Sequence, residues 1–388
     1  MTNTRPRYIL PVIVFSQFAG TSLWFAGNAV ISDLQREFSL PDTAVGYITS
    51  SIQLGFIAGT MVFAFFTLAD RFSPIRLFFI CSIGGALANF LLTLYAGGLY
   101  SILGLRFITG VFLAGIYPVG MKISSDWYEK GLGKALGYLV GALVLGTAFP
   151  HLLRNMQINL SWDVVLTGIS ILSVVGGLLM ILFVKNGPYH KPSSKFQPTA
   201  VLQVFTNKSF RSAAFGYFGH MWELYAFWAF IPLILMHYNQ SSTAGIAAFY
   251  IIAAGALGCI LGGYLAKKRG SASIAFSMLL ISGLCSLLSP LLFNLPDFFF
   301  YLYLFIWGFA VVADSPQFST LVAQTAPKEF TGTALTLVNS IGFSITIVSI
   351  ELLNHTRDIF GIQWVLLLLV AGPVFGLLSV KRLVWKNQ

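Results

Sequence analysis

The stretch GHMWELYAFWAF, residues 219–230, sets two ionisable side chains, His220 and Glu223, among aromatic and aliphatic neighbours. Three residues apart on a helix, the two share a face. Burial disfavours a charged carboxylate, whereas a neighbouring imidazolium favours it. The effects oppose, so the pair can exchange a proton near neutral pH, which suits a site coupled to a proton gradient. The other use of the pair is structural, with Glu223 protonated or His-paired and stitching helices together. Arg106, in RFITGVFLAG, does not discharge; it needs an acidic partner, an anionic ligand or the carbonyls of a neighbouring helix. Asp314, in VVADSPQFS, stands beside Pro316, and a proline frees a carbonyl and kinks a helix. Asp314 is therefore a proton-handling group or a cap on the lower part of a broken helix.

Amphipathic side chains surround these four. They are Gln17, Trp24 and Asn28 in one apolar stretch, Tyr117 in another, and Trp222, Tyr225 and Trp228 beside His220 and Glu223. Each can offer a small solute an apolar surface or a hydrogen bond, and each can equally be plain packing. Pro118, in GIYPVGMK, repeats the setting of Pro316, and paired kinks point to moving gates or a central site. Lys122 lies where it can snorkel to the interface, and Glu351 and His151 are expected to reach the interface from outer helix ends.

Composition says what carries these groups. The chain has 388 residues, 56% hydrophobic and only 9% charged, against roughly 25% charged in soluble domains. It cannot coat a water-exposed surface in the ordinary way. Apolar runs of about 20 residues recur, as membrane-crossing helices require. Residues 166–184 do not alternate in polarity, which excludes a transmembrane barrel. Twelve spans are expected, near 8–31, 44–69, 75–96, 99–123, 135–153, 162–184, 210–237, 243–266, 271–293, 298–326, 332–354 and 362–385. Arg5 and Arg7 precede the first, which is too long for a signal-peptide core and is expected as a retained helix. On insertion scales a charge at mid-bilayer costs ~2.5–3.5 kcal/mol, so intramembrane ionisable groups face protein or water and mark pathways. Glu223 lies about 14 residues into span 7, hence about 20 Å deep and close to the midplane.

The fold expected is all-α and integral to the membrane, with twelve transmembrane helices in two pseudo-symmetric six-helix bundles. Residues 1–184 and 210–388 form the bundles, joined by a polar linker over 185–209 with three prolines. Arg36, Arg154 and Arg357 fall in outer loops if the N-terminus is inside, and Arg106 and Lys122 within spans. The other basic residues then lie at cytoplasmic ends, which puts both termini and the linker inside. The halves match at an offset near 198: Gly110 with Gly308, Pro118 with Pro316, Lys130 with Lys328, Trp24 with Trp222. Parallel repeats with a midplane site between them are a transporter architecture.

The sequence at this point resembles the major facilitator superfamily over essentially its whole length. FTLADRFSPIR after span 2 is similar to that family's Gly-x-Leu-Ala-Asp-Arg-x-Gly-Arg loop, with Asp70 and Arg71 in place and Phe66 and Ser73 for the glycines. GYLAKKRG keeps Gly263 and Gly270 but has Lys267 for the acid. RFITGVFLAG resembles the span 4 signature, and GYLVGALVLGTAFPH loosely the antiporter motif. RFITGVFLAGIYPVGMK is also similar to bacterial members grouped with nitrate and nitrite permeases, whose span 2 and span 8 arginines are missing here. The resemblance implies a cavity lined by spans 1, 4, 7 and 10, a role for Arg106 in proton handling or solute binding, and a cytoplasmic latch at Asp70 and Arg71.

Function classes narrow accordingly. The net charge of +10 is dispersed between apolar runs, so nucleic acid is not an expected partner. Cys81, Cys259 and Cys285 are odd in number and lie in apolar segments, which argues against a disulfide framework or a metal cluster. No P-loop, His-Glu-x-x-His, Gly-x-Gly-Asp or Gly-x-Ser-x-Gly motif occurs, so neither an ATP-driven pump nor an enzyme is expected, and no cofactor. The expectation is a monomeric secondary transporter in a bacterial inner membrane that moves a small organic solute by alternating access. Protons drive it, through Glu223, His220, Asp314 and Arg106. The alternatives are proton-driven efflux of amphipathic cations or drugs and, behind it, a non-transporting receptor or scaffold.

Overall fold

The computed structural model describes residues 6–66, 68–95, 97–128, 132–155, 160–189, 205–238, 244–327 and 331–385. Among these, every regular element is helical. Eleven helical stretches are long and apolar enough to cross a membrane, and the shorter Ile9–Thr21 begins span 1. Helices prevail because hydrocarbon offers the backbone no hydrogen bonds, so each segment must satisfy its own. Most of the linker, residues 190–204, lies outside the described residues.

Three spans are interrupted. Span 1, expected as one helix, is divided into Ile9–Thr21, Ala26–Ala29 and Ile31–Phe38. Thr21 and Ser22 turn their hydroxyls onto the carbonyls of Gln17 and Ala19, at 2.8 and 2.7 Å, just before the break. Such back-bonding competes with the helical ladder and bends it. Span 4 consists of Leu99–Leu113 and Tyr117–Trp127, and span 10 of Asp297–Ala313 and Ser315–Thr325. Pro118 and Pro316 each stand in the first turn of the second piece, where a missing N–H costs nothing. Span 12 (Ile362–Trp385) contains a 3₁₀ turn at Leu366–Val370.

Glycine sets the tightest packing. Span 2 (Ala44–Phe65) lies so close to span 4 that a methyl on Gly110 would strike the Ile52 carbonyl and stand 2.8 Å from the Phe56 nitrogen. Span 8 (Ala244–Arg269) meets span 10 in the same way at Gly308, against Ile251. Small residues that let backbones approach are the ordinary means of joining helices in lipid. Between the bundles, span 2 packs on span 11 (Thr331–Phe360), and span 5 (Leu132–Arg154) on span 8.

The end opposite the linker is tied shut across the bundles. Ser50 donates to Glu351 Oε1 at 2.5 Å, Asn354 Nδ2 to the Thr43 carbonyl at 2.9 Å, and the Tyr47 hydroxyl meets His355 Nε2 at 3.4 Å. Glu351 therefore joins two bundles instead of reaching for the interface. His151 also departs from expectation: it is buried.

Candidate transport site

An aromatic seam fills the middle of the molecule where spans 1 and 2 meet spans 7 (Lys208–Tyr238) and 11. The Trp24 ring lies 5.5 Å from Tyr225 and 5.6 Å from Phe343, and Phe25 lies 6.2 Å from Trp228. Phe56 and Phe343 close the span 2 side at 4.4 Å. All of these rings are buried. Polar atoms are set among them. Asn28 donates to Thr49 Oγ1 at 2.7 Å, which leaves its own carbonyl oxygen unpaired. Gln53, one turn along from Thr49, has neither amide atom paired, and the indole N–H groups of Trp24 and Trp228 are also free. Buried polar atoms without partners are rare in folded proteins, and an unseen ligand or water is one of the recognised reasons.

Next to the seam is an ionisable cluster. His220 Nδ1 lies 2.8 Å from Asp314 Oδ1, both fully buried. The sequence expectation of a His220–Glu223 pair is thus corrected: the partner of His220 comes from the break in span 10. That break brings the Asp314 carboxylate to face span 7. Tyr217, one turn before His220, lies 5.8 Å from it, ring to ring. Tyr217 also interacts electrostatically with Asp314, with the seam residue Tyr225 and with the half-buried Tyr117 of the other bundle, linking the pair to the seam. Glu223 points elsewhere, to Ser282 and Ser286 of span 9 (Ser271–Leu292). It is fully buried.

Arg106 stands apart from this cluster, in the first bundle. Its Nη2 donates to the carbonyls of Leu23, at 3.0 Å, and Trp24, both in the interruption of span 1. Its Nη1 donates to Asn89 Oδ1 at 3.2 Å. Asn89, in span 3 (Pro74–Tyr95), donates in turn to the Leu166 carbonyl and Ser170 of span 6 (Trp162–Phe183). Of the three partners the sequence left open for Arg106, carbonyls are the one found. A guanidinium with donors in a planar fork suits two adjacent freed carbonyls.

Two further side chains expected at the solute site face other neighbours. Trp222 donates its indole N–H to the Leu368 carbonyl at 2.9 Å, serving the 3₁₀ turn of span 12. Gln17 is buried against Gly120 within the first bundle. Arg71 is exposed, and the side chain of Asp70 lies outside the described residues. Sequence reasoning missed Gln53, Ser282 and Ser286. The spacing of Thr49 and Gln53, and of Ser282, Ser286 and Ser289, marks polar stripes on single helix faces and was the available signal.

Residues 13–350 match the family described as Major Facilitator Superfamily. The chain is 30% identical over 161 residues to a D-galactonate transporter of Escherichia coli O6:H1 (strain CFT073), a match spanning 41% of this chain and 37% of that one. It is 22% identical to the probable galactarate/D-glucarate transporter GudP of Bacillus subtilis (strain 168), covering 97% and 93% of the two chains. A hexuronate transporter of the same Bacillus strain is 24% identical, over 73% of this chain and 71% of its own. Among solved structures, the proton:xylose symporter XylE superposes with a TM-score of 0.77 at 11% identity, covering 97% of this chain and 95% of that one. A bacterial homologue of the human lysosomal transporter Spinster, inward-facing and unoccupied, gives 0.74 at 15%, covering 96% of each. At such identities the likeness is one of fold. Twelve spans, an all-helical membrane architecture and a family match over most of the chain agree: this protein belongs to the Major Facilitator Superfamily and is a membrane transporter.

Proposed function

We propose that the chain carries a small hydroxylated organic acid of the sugar-acid class, by alternating access coupled to protons. One observation carries the coupling: the buried contact of His220 with Asp314, 2.8 Å apart, next to the seam through Tyr217. An ionisable pair in the membrane interior is a functional site by default, because lipid penalises it otherwise. The three relatives named for sugar acids support the solute class. The unpaired donors and acceptors of Trp24, Asn28, Gln53 and Trp228 suit hydroxyl and carboxylate oxygens, with Tyr225 as an apolar wall. Arg106 is committed to span 1, so neutral donors hold the acid group in this reading. Glu223 faces span 9, away from the seam, which weighs against an amphipathic cation as cargo.

In this mechanism the two bundles rock about the seam. The Ser50–Glu351 and Asn354–Thr43 ties open on one side, and the breaks beside Pro118 and Pro316 absorb the bending. Asp70 and Arg71 latch the opposite side. The protein works as a monomer in a bacterial inner membrane with both ends cytoplasmic.

The test uses proteoliposomes with an imposed proton gradient and radiolabelled D-galactonate, with galactitol and an amphipathic cation as comparisons. The acid should accumulate. Asp314→Asn and His220→Gln should keep solute exchange at equal concentrations but lose gradient-driven accumulation. Full accumulation by Asp314→Asn removes the pair from coupling. Accumulation of the cation alone rejects the solute class.

A further inference from the structure

The two described ends of the linker hold spans 4 and 10 at matching places. Residues 185–189 lie against the end of the second piece of span 4. The Trp127 indole N–H donates to the Lys185 carbonyl at 2.9 Å, and the Tyr189 N–H donates to the Asp126 carbonyl at 3.0 Å. Gly187 sits so close that a methyl on it would strike the Asp126 carbonyl and stand 2.8 Å from the Trp127 nitrogen. At the far end of the linker, Asn207 Nδ2 donates to the Thr325 carbonyl at 3.2 Å. Thr325 is the last residue of the second piece of span 10, as Trp127 is of span 4. At the repeat offset of 198, Trp127 falls opposite Thr325.

The last carbonyls of a helix have no partner within it and need a donor from outside. At both tips the linker supplies one. Asn207 does so while serving a second helix: its Oδ1 accepts the N–H groups of Ser209, at 2.8 Å, and Phe210, at 3.3 Å, at the start of span 7. The side chain therefore joins the first turn of span 7 to the tip of span 10.

What lies at the other end of each held piece gives these contacts their meaning. Each second piece has 11 residues, a rod of about 16 Å. In span 10 the Asp314 carbonyl accepts the N–H groups of Gln317 and Phe318, both at 2.9 Å, so Asp314 turns with the second piece. Its carboxylate is the one that meets His220 at 2.8 Å. In span 4 the second piece opens with Tyr117, which interacts electrostatically with Tyr217 and Tyr225. Tilting a short rod at its tip re-aims the group at its head. We propose that Gly187, Tyr189, Trp127 and Asn207 are positioning residues for transport: by holding the tips of spans 4 and 10 they set the tilt of the second pieces, and with it the presentation of Tyr117 and Asp314. The consequence for coupling rests on the His220–Asp314 reading above; the holding of the tips does not.

The experiment places nitroxide labels on cysteines at Ser125 and Gln324, near the two tips, in the full chain in detergent, and reads their separation by pulsed electron resonance. Asn207→Asp keeps the acceptor for Ser209 and Phe210 and removes only the amide donor to Thr325. Gly187→Ala disturbs the contact with Asp126. Each should broaden and shift the distance distribution while the unfolding temperature stays at the wild-type value. In proteoliposomes each should lower the maximal rate of D-galactonate accumulation severalfold and leave half-saturation unchanged, since no seam residue is altered. Distances unchanged in both variants overturn the proposal, and so does a lower unfolding temperature with unchanged distances, which marks a purely structural role. Altered distances with a full transport rate also overturn it. Unsubstituted protein that takes up no sugar acid rejects the solute class instead, because the distances are read without solute.

Discussion

Replacing Arg106 with leucine separates two jobs a buried guanidinium could hold. Its donors go to the Leu23 and Trp24 carbonyls and to Asn89 Oδ1. Leucine strips three buried acceptors of their donor, at about 1–3 kcal/mol each. The two carbonyls belong to an interrupted helix, so no ladder N–H is waiting to replace it. Against this, removing the guanidinium relieves several kcal/mol of desolvation. The balance is a net loss of about 2–4 kcal/mol, or an unfolding temperature lower by about 2–5 °C for a chain of this size. Thermal unfolding in detergent measures it, alongside solute accumulation in proteoliposomes. Arg106→Lys is expected to lose nearly as much stability, because an ammonium is a point charge and does not fork between carbonyls. An Arg106→Leu protein that unfolds at the wild-type temperature while accumulation drops to background refutes this structural role. The guanidinium would then act on solute or proton, and its contacts with span 1 would carry no weight.

Gly110→Ala and Gly308→Ala should each destabilise by about 1–3 kcal/mol or more, since the added methyl meets backbone of the facing span. Gly104→Ala, with nothing within 4 Å, serves as the control and should leave the unfolding temperature unchanged. Cysteines at Ser50 and Glu351, bridged by a short thiol cross-linker, should stop transport by fixing the closed end; cross-linked protein with full turnover contradicts the gate. The native cysteines are buried, which keeps background labelling low. Trp24→Phe and Trp228→Phe remove one indole donor each from the seam and should weaken solute affinity about fivefold to tenfold. Trp222→Phe should instead lower stability through the Leu368 carbonyl and leave affinity unchanged, as solute titrations would show.

The spans and their order were legible because hydropathy and length constrain them directly. The duplicated prolines foretold the interruptions of spans 4 and 10, where each stands in the first turn of the second piece, whereas Pro150, Pro232 and Pro290 sit inside continuous helices. Pairing was harder to read. A span that is apolar on every side gives no sign of how it is rotated, so the sequence could place His220 and Glu223 on one face but not say what that face meets. Asp314 is 94 residues away from His220 and reaches it only because span 10 breaks at that residue. The interruption of span 1 carries no proline; it depends on Arg106 arriving from span 4 and on hydroxyls that turn inward. Gln53 and the span 9 serines are ordinary residues in isolation. Gln53 is singled out by burial without a partner, and Ser282 and Ser286 by the carboxyl of Glu223 that reaches them.

The offset of 198 also shows what the two copies do not share. The position of Arg106 is occupied by Leu304 in the second copy, and that of Asn89 by Leu287. Conversely, His220, Glu223 and Asp314 fall opposite Ser22, Phe25 and Ile116 in the first. One twin thus carries a buried guanidinium held by its own framework, while the other carries the His220–Asp314 contact and, apart from it, Glu223. Duplication preserved the backbone plan of the two bundles but not the side chains placed at their centres.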